Sequence, residues 1–342
     1  MPHPFEPLLE PSAAEHEVPH PDEPAGVLRW ASQLSSDLPL PGSGHTGYLW
    51  STLAHIAAAD VEVARMVEPH LDAIAILAQA QADGIDLAAL SSRLGTDPTS
   101  TWGVYAAEGP GARLLAEEGP GGWSLTGTKP WCSLATEASH ALVTAWTSET
   151  TRRLFAVPLR SDTVSAHPGP WHSRGLSRVV SAPVDFTRTP AVPIGDDGWY
   201  LARAGFSWGG MGVAAIWWGG ARPLVRALTD AARSERADQL AQMYAGRADA
   251  ADWTARLALT HAADAVDRGV SGEEGKLLAA RSRAVVARAA EEILTLADRA
   301  LGPAPLTADE AHAKRVADLR IYLRQDHAER DLARLGSLAV RA

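Results

Sequence analysis

Three residues that could bind a metal ion lie close together in the first half of the chain, at Glu68, His70 and Asp72. Carboxylate oxygens and imidazole nitrogens are common metal ligands. A metal site would need all three side chains on one face of a helix. Their spacing of two and four residues does not place all three together. We therefore do not predict a metal site.

Two further patterns allow a chemical interpretation. The glycine cluster Gly-Gly-Met-Gly at 209–212 precedes a predicted helix. It resembles a phosphate-binding loop, but no strand–helix–strand unit surrounds it, so close helix packing or a substrate-facing turn is the simpler interpretation. Cys132 is the only cysteine. It has no apparent partner base, which favours a small buried hydrophobic residue over a nucleophile.

The elements that must position these residues change in type twice along the chain. Apolar residues of the first region recur at helical spacing, as at Leu53, Ile56 and Ala57. The middle region is dense in glycine and proline, and its short apolar segments predict strands. The last region predicts four long helices, at roughly 212–232, 235–268, 272–301 and 308–336.

This order of helices, strands and helices predicts an α+β multidomain fold, with an N-terminal helical domain, a middle β-barrel and a C-terminal four-helix bundle. We predict a flexible leader, an α-helical domain, a β-domain and a helical bundle at residues 1–25, 26–97, 98–197 and 198–342.

Composition excludes several classes of function. The formal net charge is −10, and the arginines are interleaved with acidic residues, which argues against a nucleic-acid partner. No run of 18 apolar residues predicts a membrane span. A single cysteine excludes a disulfide within the chain, and we expect a cytoplasmic protein.

The segment 123–133, Trp-Ser-Leu-Thr-Gly-Thr-Lys-Pro-Trp-Cys-Ser, resembles a hairpin of the acyl-CoA dehydrogenase superfamily. In that family the tryptophan packs on the flavin ring, and a group two residues later bonds the flavin N5 edge. The resemblance implies these roles for Trp131 and Ser133, with Cys132 between them in the flavin wall.

Other segments match the family in the same order. The segment from Tyr105 to Gly111 resembles a flavin-binding loop, which implies that Tyr105, Ala107 and Glu108 contact the cofactor. Residues 171–175, 181–186 and 194–195 resemble the later part of the family's β-domain.

Near the C-terminus, residues 317–322 resemble the motif that precedes the family's catalytic glutamate. Counted from Asp318 without gaps, the catalytic position falls on Asp326, with His327 beside it. The alternative for Asp326 is a surface acid paired with Arg330 one helical turn later. His327 has a counterpart in related flavin monooxygenases, and could equally be a solvated helix residue.

Two family elements are weakened. The motif that clamps the FAD pyrophosphate from a neighbouring subunit is reduced to Arg233 or Arg236, and a later glycine-rich motif is reduced to Gly302. We carry over Arg233 and Gly302 as expected phosphate contacts.

The resemblance implies an FAD-dependent acyl-CoA dehydrogenase-like oxidoreductase. Asp326 would take the α-proton of an acyl thioester while the β-hydride passes to flavin. The implied partners are an acyl-CoA or similar small molecule, an electron acceptor such as an electron-transfer flavoprotein, and further copies of the chain in a homodimer or homotetramer. The alternatives are a flavin-dependent monooxygenase of the same superfamily and a catalytically silent homologue that binds flavin or CoA.

Overall fold

A computed structural model describes residues 17–167, 169 and 171–341. Residues 1–16 of the predicted leader lie outside this range. The first helix begins with a proline in its first turn, where the missing N–H costs nothing. The N-terminal helices are Pro24–Leu34 (α1), Thr46–Ala59 (α2), Val61–Ala82 (α3) and Ala88–Leu94 (α4). None of the described helices is long and apolar enough to cross a membrane.

The third helix, α3, carries several of the side chains that matter below. Its N-terminus is capped by Asp60, whose carboxylate accepts hydrogen bonds from the backbone N–H groups of Glu62 and Val63 at 2.8 and 3.1 Å. The helix continues through Pro69. One face of α3 is buried in the core, so its remaining polar residues are held at fixed positions.

The middle of the chain forms a small β-barrel. Its described strands are Trp102–Tyr105 (β1), Leu114–Gly119 (β2), Gly122–Ser133 (β3), His140–Trp146 (β4), Arg152–Pro158 (β5), Val164–Ala166 (β6) and Ser181–Ile194 (β7). Pairing runs from β2 through β3, β7, β5 and β4, and the pair Leu115 and Trp146 closes the ring. β1 adds to β4 and β6 adds to β7. The barrel interior is filled by apolar side chains such as Leu125 and Phe155.

Helices of very different lengths follow the barrel. They are Trp199–Ala202 (α5), Ala204–Arg233 (α6), Gln239–Asp267 (α7), Gly272–Leu301 (α8), Ala304–Ala308 (α9), Glu310–Tyr322 (α10) and Glu329–Ala339 (α11). α6, α7 and α8 pack on one another, and α2 packs against α6. The glycine cluster at 209–212 lies inside α6, where a Cβ on Gly212 would lie 3.4 Å from Trp50. It therefore packs against other helices and does not form a phosphate loop before a helix.

The predicted final helix over 308–336 is wrong as one continuous element. α10 ends at Tyr322, Leu323–Gln325 form one 3₁₀ turn, and α11 begins at Glu329. Arg283 on α8 donates a hydrogen bond to the carbonyl oxygen of Gln325 at 3.2 Å. This contact satisfies a backbone group that a continuous helix would have used itself, so the break is stabilised by a neighbouring helix.

A buried ionic cluster joins α10 to α3. The Lys314 ammonium lies 3.1 Å from carboxylate oxygens of both Asp60 and Glu62, and 2.6 Å from Asp318. The three carboxylates lie close enough together to hold a cation. Lys314 supplies one positive charge from within the chain, and Arg178, 3.4 Å from Glu62, supplies a second, so the negative charge of the cluster is partly balanced.

The same cluster holds the loop before β7. Glu62 accepts a hydrogen bond from the backbone N–H of Arg178 at 2.6 Å, and Asp318 accepts one from Leu176 at 2.6 Å. Gly175 lies so close to α10 that a Cβ there would be 2.0 Å from the carbonyl oxygen of Ala317. Only glycine allows this approach of two backbones.

Replacing Gly175 with alanine should therefore destabilise the protein by about 2–3 kcal/mol, because the added methyl group meets a backbone atom that cannot rotate away. Urea unfolding would measure the change. Gly246→Ala is the matched control, since a Cβ at Gly246 meets nothing within 4 Å. It should stabilise α7 by up to about 1 kcal/mol. Equal effects of the two substitutions would contradict the close approach.

Candidate functional site

A cavity of about 660 Å³ lies between the barrel and the helices. We call it the main chamber. Its barrel wall includes Ala107, Glu108, Trp131, Ser133 and Ser181, and its helical wall includes Arg65, Glu68 and Tyr322. Four of the residues predicted to contact a cofactor are thus brought together on one wall. This volume is typical of small-molecule sites.

Trp131 is presented to the main chamber by an irregularity in β3. The pairing of β3 with β7 shifts register between Lys129 and Cys132. Trp131 adopts a left-handed backbone with φ of 59°, and its side chain is 59% exposed. A bulge of this kind redirects a side chain, and strained residues of this kind cluster at ligand sites. A large aromatic face is thereby available to a ligand.

Ser133 lies at the end of the same strand. Its hydroxyl is 2.7 Å from that of Ser181 and accepts a hydrogen bond from Arg65 at 3.1 Å. Its backbone carbonyl accepts a hydrogen bond from the Tyr105 hydroxyl at 3.0 Å. Tyr105 is buried behind this carbonyl and does not line the chamber. The structure thus places Ser133 on the wall and Tyr105 as its support.

Glu108 is neutralised by two cations. Its carboxylate lies 2.6 Å from the Lys129 ammonium and 2.9 Å from the Arg152 guanidinium. Partial burial would raise the pKa of Glu108, but the hydrogen bonds and charge of Lys129, with those of Arg152, hold the pKa below its usual value. Glu108 is therefore a fixed carboxylate at the chamber edge.

Cys132 is fully buried, and burial raises the pKa of its thiol, which makes it inert.

The helical wall contributes two polar side chains, Arg65 and Tyr322, to the main chamber. Within the described part of the chain, Nη1 of Arg65 and the hydroxyl of Tyr322 are buried and make no hydrogen bond. Nη1 of Arg65 instead lies 3.6 Å from a carboxylate oxygen of Glu68, in an ion pair longer than a hydrogen bond.

A second cavity of about 350 Å³ adjoins the main chamber on the side of α6, α8 and α11. We call it the side chamber. Its wall includes Arg203, Arg283, Asp326 and Leu332. Five residues line both chambers, namely Glu68, Asp72, Tyr200, Gln325 and His327. These five residues therefore mark the junction of the two cavities.

Neither of the two predicted catalytic residues lies on the barrel wall of the main chamber. Asp326 lines the side chamber but not the main chamber, and its carboxylate accepts a hydrogen bond from the backbone N–H of Ala328 at 3.2 Å. Burial and the charge of Asp331 raise the pKa of Asp326. His327 lies at the junction, with Nδ1 3.6 Å from Asp331. Because the helix is broken here, Asp326 and Arg330 lack the predicted one-turn spacing.

Sequence analysis missed the two acids at the junction. Glu68 lies 3.6 Å from Arg65, and Asp72 lies 3.6 Å from Arg203. Burial raises the pKa of Glu68 to about 7, although the charge of Arg65 lowers it. Burial also raises the pKa of Asp72 against the charge of Arg203. The signal available in the sequence was their spacing of four residues, which places both on one face of α3.

The predicted phosphate contacts lie outside both chambers. Arg233 is at the C-terminus of α6, exposed and 3.6 Å from Asp230. Gly302 follows α8 with a left-handed φ of 67°. Their predicted role depends on a neighbouring subunit, so it stays a prediction.

The main chamber fits the ring of a flavin. The flavin ring system is flat and apolar on its faces and carries nitrogen and oxygen acceptors along one edge. Trp131 offers an aromatic face, while Ser133 and Ser181 offer hydroxyl groups. The side chains of Arg65 and Tyr322 also line this chamber and carry hydrogen-bond donors of the kind that this edge requires.

Comparison with solved structures identifies the fold. KijD3 in complex with FMN and dTDP-3-amino-2,3,6-trideoxy-4-keto-3-methyl-D-glucose has a TM-score of 0.77 and 18% identity, over 92% of this chain and 85% of that chain. FMN-bound TdsC from Paenibacillus sp. A11-2 has a TM-score of 0.71 and 18% identity, over 93% and 88%. Butyryl-CoA dehydrogenase from Megasphaera elsdenii has a TM-score of 0.69 and 16% identity, over 86% and 82%.

The chain therefore shares the fold of butyryl-CoA dehydrogenase, and the predicted acyl-CoA dehydrogenase-like architecture is confirmed. No protein-family model matches the sequence. A search of curated proteins finds no match either.

Proposed function

We propose that this protein is a flavin-dependent oxidoreductase, and that it acts as a monooxygenase on a small molecule held in the side chamber. The observation that carries the proposal is the main chamber itself, where exposed Trp131, Ser133, Ser181, Arg65 and Tyr322 line one cavity. Two proteins of similar fold, KijD3 and TdsC, were solved with FMN, and TdsC is described as a dibenzothiophene monooxygenase.

The chain's own residues would hold and orient the ligands. Trp131 would cover one face of the ring, while Ser133 and Arg65 would bond its polar edge. A bound flavin would supply the electrons and, with oxygen, the oxidising chemistry. The apolar lining of the side chamber, such as Phe206 and Leu332, would exclude water from the substrate.

The second candidate is dehydrogenation of an acyl thioester with FAD, using Asp326 as the base. Butyryl-CoA dehydrogenase has the same fold, which supports this candidate. The position of Asp326 opposes it, because the base must reach a substrate stacked on the flavin and Asp326 does not line the main chamber. We therefore rank dehydrogenation second.

Each candidate implies its own partners. The dehydrogenase would pass electrons to an acceptor such as an electron-transfer flavoprotein, and the monooxygenase would need a supply of reduced flavin. For either we propose a homodimer or homotetramer. Apolar side chains exposed along α7, at Leu240, Met243 and Leu257, support self-association. Light scattering on the purified protein would measure the oligomeric state.

Absorbance spectra would test the proposal. The protein is mixed with FMN or with FAD, and the flavin that stays bound through gel filtration is identified. We expect that anaerobic acyl-CoA esters do not bleach the bound flavin, and that reduced flavin supplied by a separate reductase drives oxygen consumption. Bleaching by one ester that is lost in Asp326→Asn would favour the dehydrogenase. No binding of either flavin would overturn the proposal.

Trp131→Ala should weaken flavin binding roughly fivefold, because loss of aromatic stacking costs about 1 kcal/mol. Quenching of flavin fluorescence on titration would give the dissociation constant. Leu115→Ala is the control, since Leu115 is an exposed apolar residue of the same barrel that lines neither chamber. It should leave flavin binding unchanged. An equal loss in both variants would remove Trp131 from the flavin wall.

A further inference from the structure

Glu68 and Asp72 are the two carboxylates that line both chambers among the described residues. The side chain of Glu68 is only 17% exposed. Its neighbour Pro69 lines the main chamber as well. Since α3 is held by its cap and by the core, the Glu68 carboxyl group is fixed at the junction.

The ionisable groups that act on Glu68 come from every element around it. Arg65 is the nearest cation, at 3.6 Å. The others are Asp72 on α3, Tyr200 on α5, Arg283 on α8 and Tyr322 at the end of α10. Arg283 is partly engaged elsewhere, because it donates hydrogen bonds to the carbonyl oxygens of Gly210 and Gln325. Arg65 is therefore the cation best placed to balance an ionised Glu68.

Burial of Glu68 has a chemical consequence. With a pKa raised to about 7, the carboxylic acid and the carboxylate are both well populated at neutral pH. A group in this state can accept a proton and give it back, which is the requirement for general acid–base catalysis.

We propose that Glu68 is the acid–base residue of this site and exchanges a proton with a hydroxyl or amine group of the molecule bound in the side chamber. This inference rests on the proposed function, because it assumes a flavin in the main chamber and a substrate in the side chamber. It goes beyond that function by naming the residue and the kind of substrate group.

The proton balance is simple. As a carboxylate, Glu68 accepts a proton from a substrate hydroxyl group or from a protonated amine, and becomes a neutral acid. The electron pair of the broken O–H or N–H bond stays on the substrate oxygen or nitrogen, which becomes more easily oxidised. A deprotonated hydroxyl group carries a negative charge, and the guanidinium of Arg65, released from its ion pair, then lies near that charge; a deprotonated ammonium group is a neutral amine. The acid afterwards returns its proton to water or to the product.

Other candidates for this role are less well placed. Asp326 reaches only the side chamber. Asp72 also lies at the junction, and like Glu68 it has a guanidinium 3.6 Å away. Its partner Arg203 is the more buried of the two cations, at 2% exposed against 14% for Arg65, so the charge of Asp72 is the more firmly balanced. His327 also lies at the junction, but its side chain is 67% exposed, so its protons exchange with solvent.

A pH titration of the FMN-loaded protein tests the inference. In the wild-type protein, the absorbance of bound FMN should change with a midpoint near pH 7, because a charge appears in the chamber wall. Glu68→Gln should bind FMN and lose this transition, whereas Glu68→Asp keeps a carboxyl group and should keep a transition. Glu117→Gln is the matched control, because Glu117 is an exposed residue of β2, and it should show the same absorbance transition as wild type.

The rate at which bound reduced FMN is reoxidised gives a second test. Reduced FMN bound to the protein is mixed with oxygenated buffer, and its reoxidation is followed against pH. The wild-type rate should change with an apparent pKa near 7, and the Glu68→Gln rate should be independent of pH through that range.

The outcomes separate the two claims. Failure of the wild-type protein to bind FMN or FAD would overturn the proposed function and this inference with it. Flavin binding with the same pH transition in wild type and Glu68→Gln would overturn the inference alone. Loss of the transition only in Glu68→Gln, with flavin still bound, would support it.

Discussion

Replacing Lys314 with methionine should lower the free energy of unfolding by about 3–5 kcal/mol. Its ammonium group lies within 3.1 Å of Glu62 and 2.6 Å of Asp318, whose side chains are 0% and 2% exposed. Methionine fills similar space but leaves Asp318 without its cation and Glu62 with only the Arg178 guanidinium, 3.4 Å away. An uncompensated buried charge is far more costly than a missing surface contact.

Urea unfolding at neutral pH would measure this loss. Lys276→Met is the control, because Lys276 pairs at 2.7 Å with Glu273, whose side chain is 75% exposed. That substitution should cost at most about 1 kcal/mol. Adding Asp318→Asn to Lys314→Met should recover part of the loss, since it removes one of the unpaired charges. A cost for Lys314→Met no larger than for Lys276→Met would show that the cluster does not join α3 to α10 energetically.

Glu68→Gln should make the folded protein more stable at alkaline pH by about 3 kcal/mol. The pKa of Glu68 rises from 4.5 to about 7 on folding, and each pKa unit corresponds to about 1.4 kcal/mol. Below pH 4.5 both the folded and the unfolded chain hold the proton, so the substitution has little effect. As the pH rises towards 7, only the folded chain keeps the proton, and its stability falls relative to the variant.

This prediction needs neither flavin nor substrate. Urea unfolding of flavin-free protein at about pH 5 and about pH 8 would give the difference between wild type and Glu68→Gln at each pH. The variant should gain stability only at the higher pH, while Glu117→Gln should show no such gain. A pH-independent difference would mean that Glu68 is ionised normally in the folded protein. A gain would fit the common pattern in which a functional site costs stability.

The resemblance of residues 123–133 to a known hairpin put Trp131 and Ser133 in one segment, and both lie on the wall of the main chamber. Their contact with a flavin stays a prediction. The bulge that turns Trp131 outward was not predicted, since it depends on the pairing of β3 with β7.

The helical wall could not be predicted in the same way. Glu68 and Asp72 were considered only as metal ligands, and nothing in the sequence shows that their face of α3 meets a cavity. Their altered pKa values come from burial by distant elements. The contact of Lys314 with Glu62 likewise joins positions far apart in the chain.

The break near the C-terminus was missed for a related reason. The apolar pattern continues beyond Tyr322, so a single helix was the reasonable prediction. Arg283 and the chamber walls favour an interruption instead. Tertiary contacts here override local helix preference.

Because of this interruption, the two helices of the C-terminal segment line different cavities. α10 is joined to α3 through Lys314 and to the loop before β7 through Asp318, and it contributes Tyr322 to the main chamber. α11 packs on α8 and contributes Leu332 to the side chamber alone. Substitutions in α11 can therefore remodel the side chamber while the main chamber keeps its shape. Under the proposed function, new substrate preferences could then evolve, or be engineered, in α11 without a change to the flavin site.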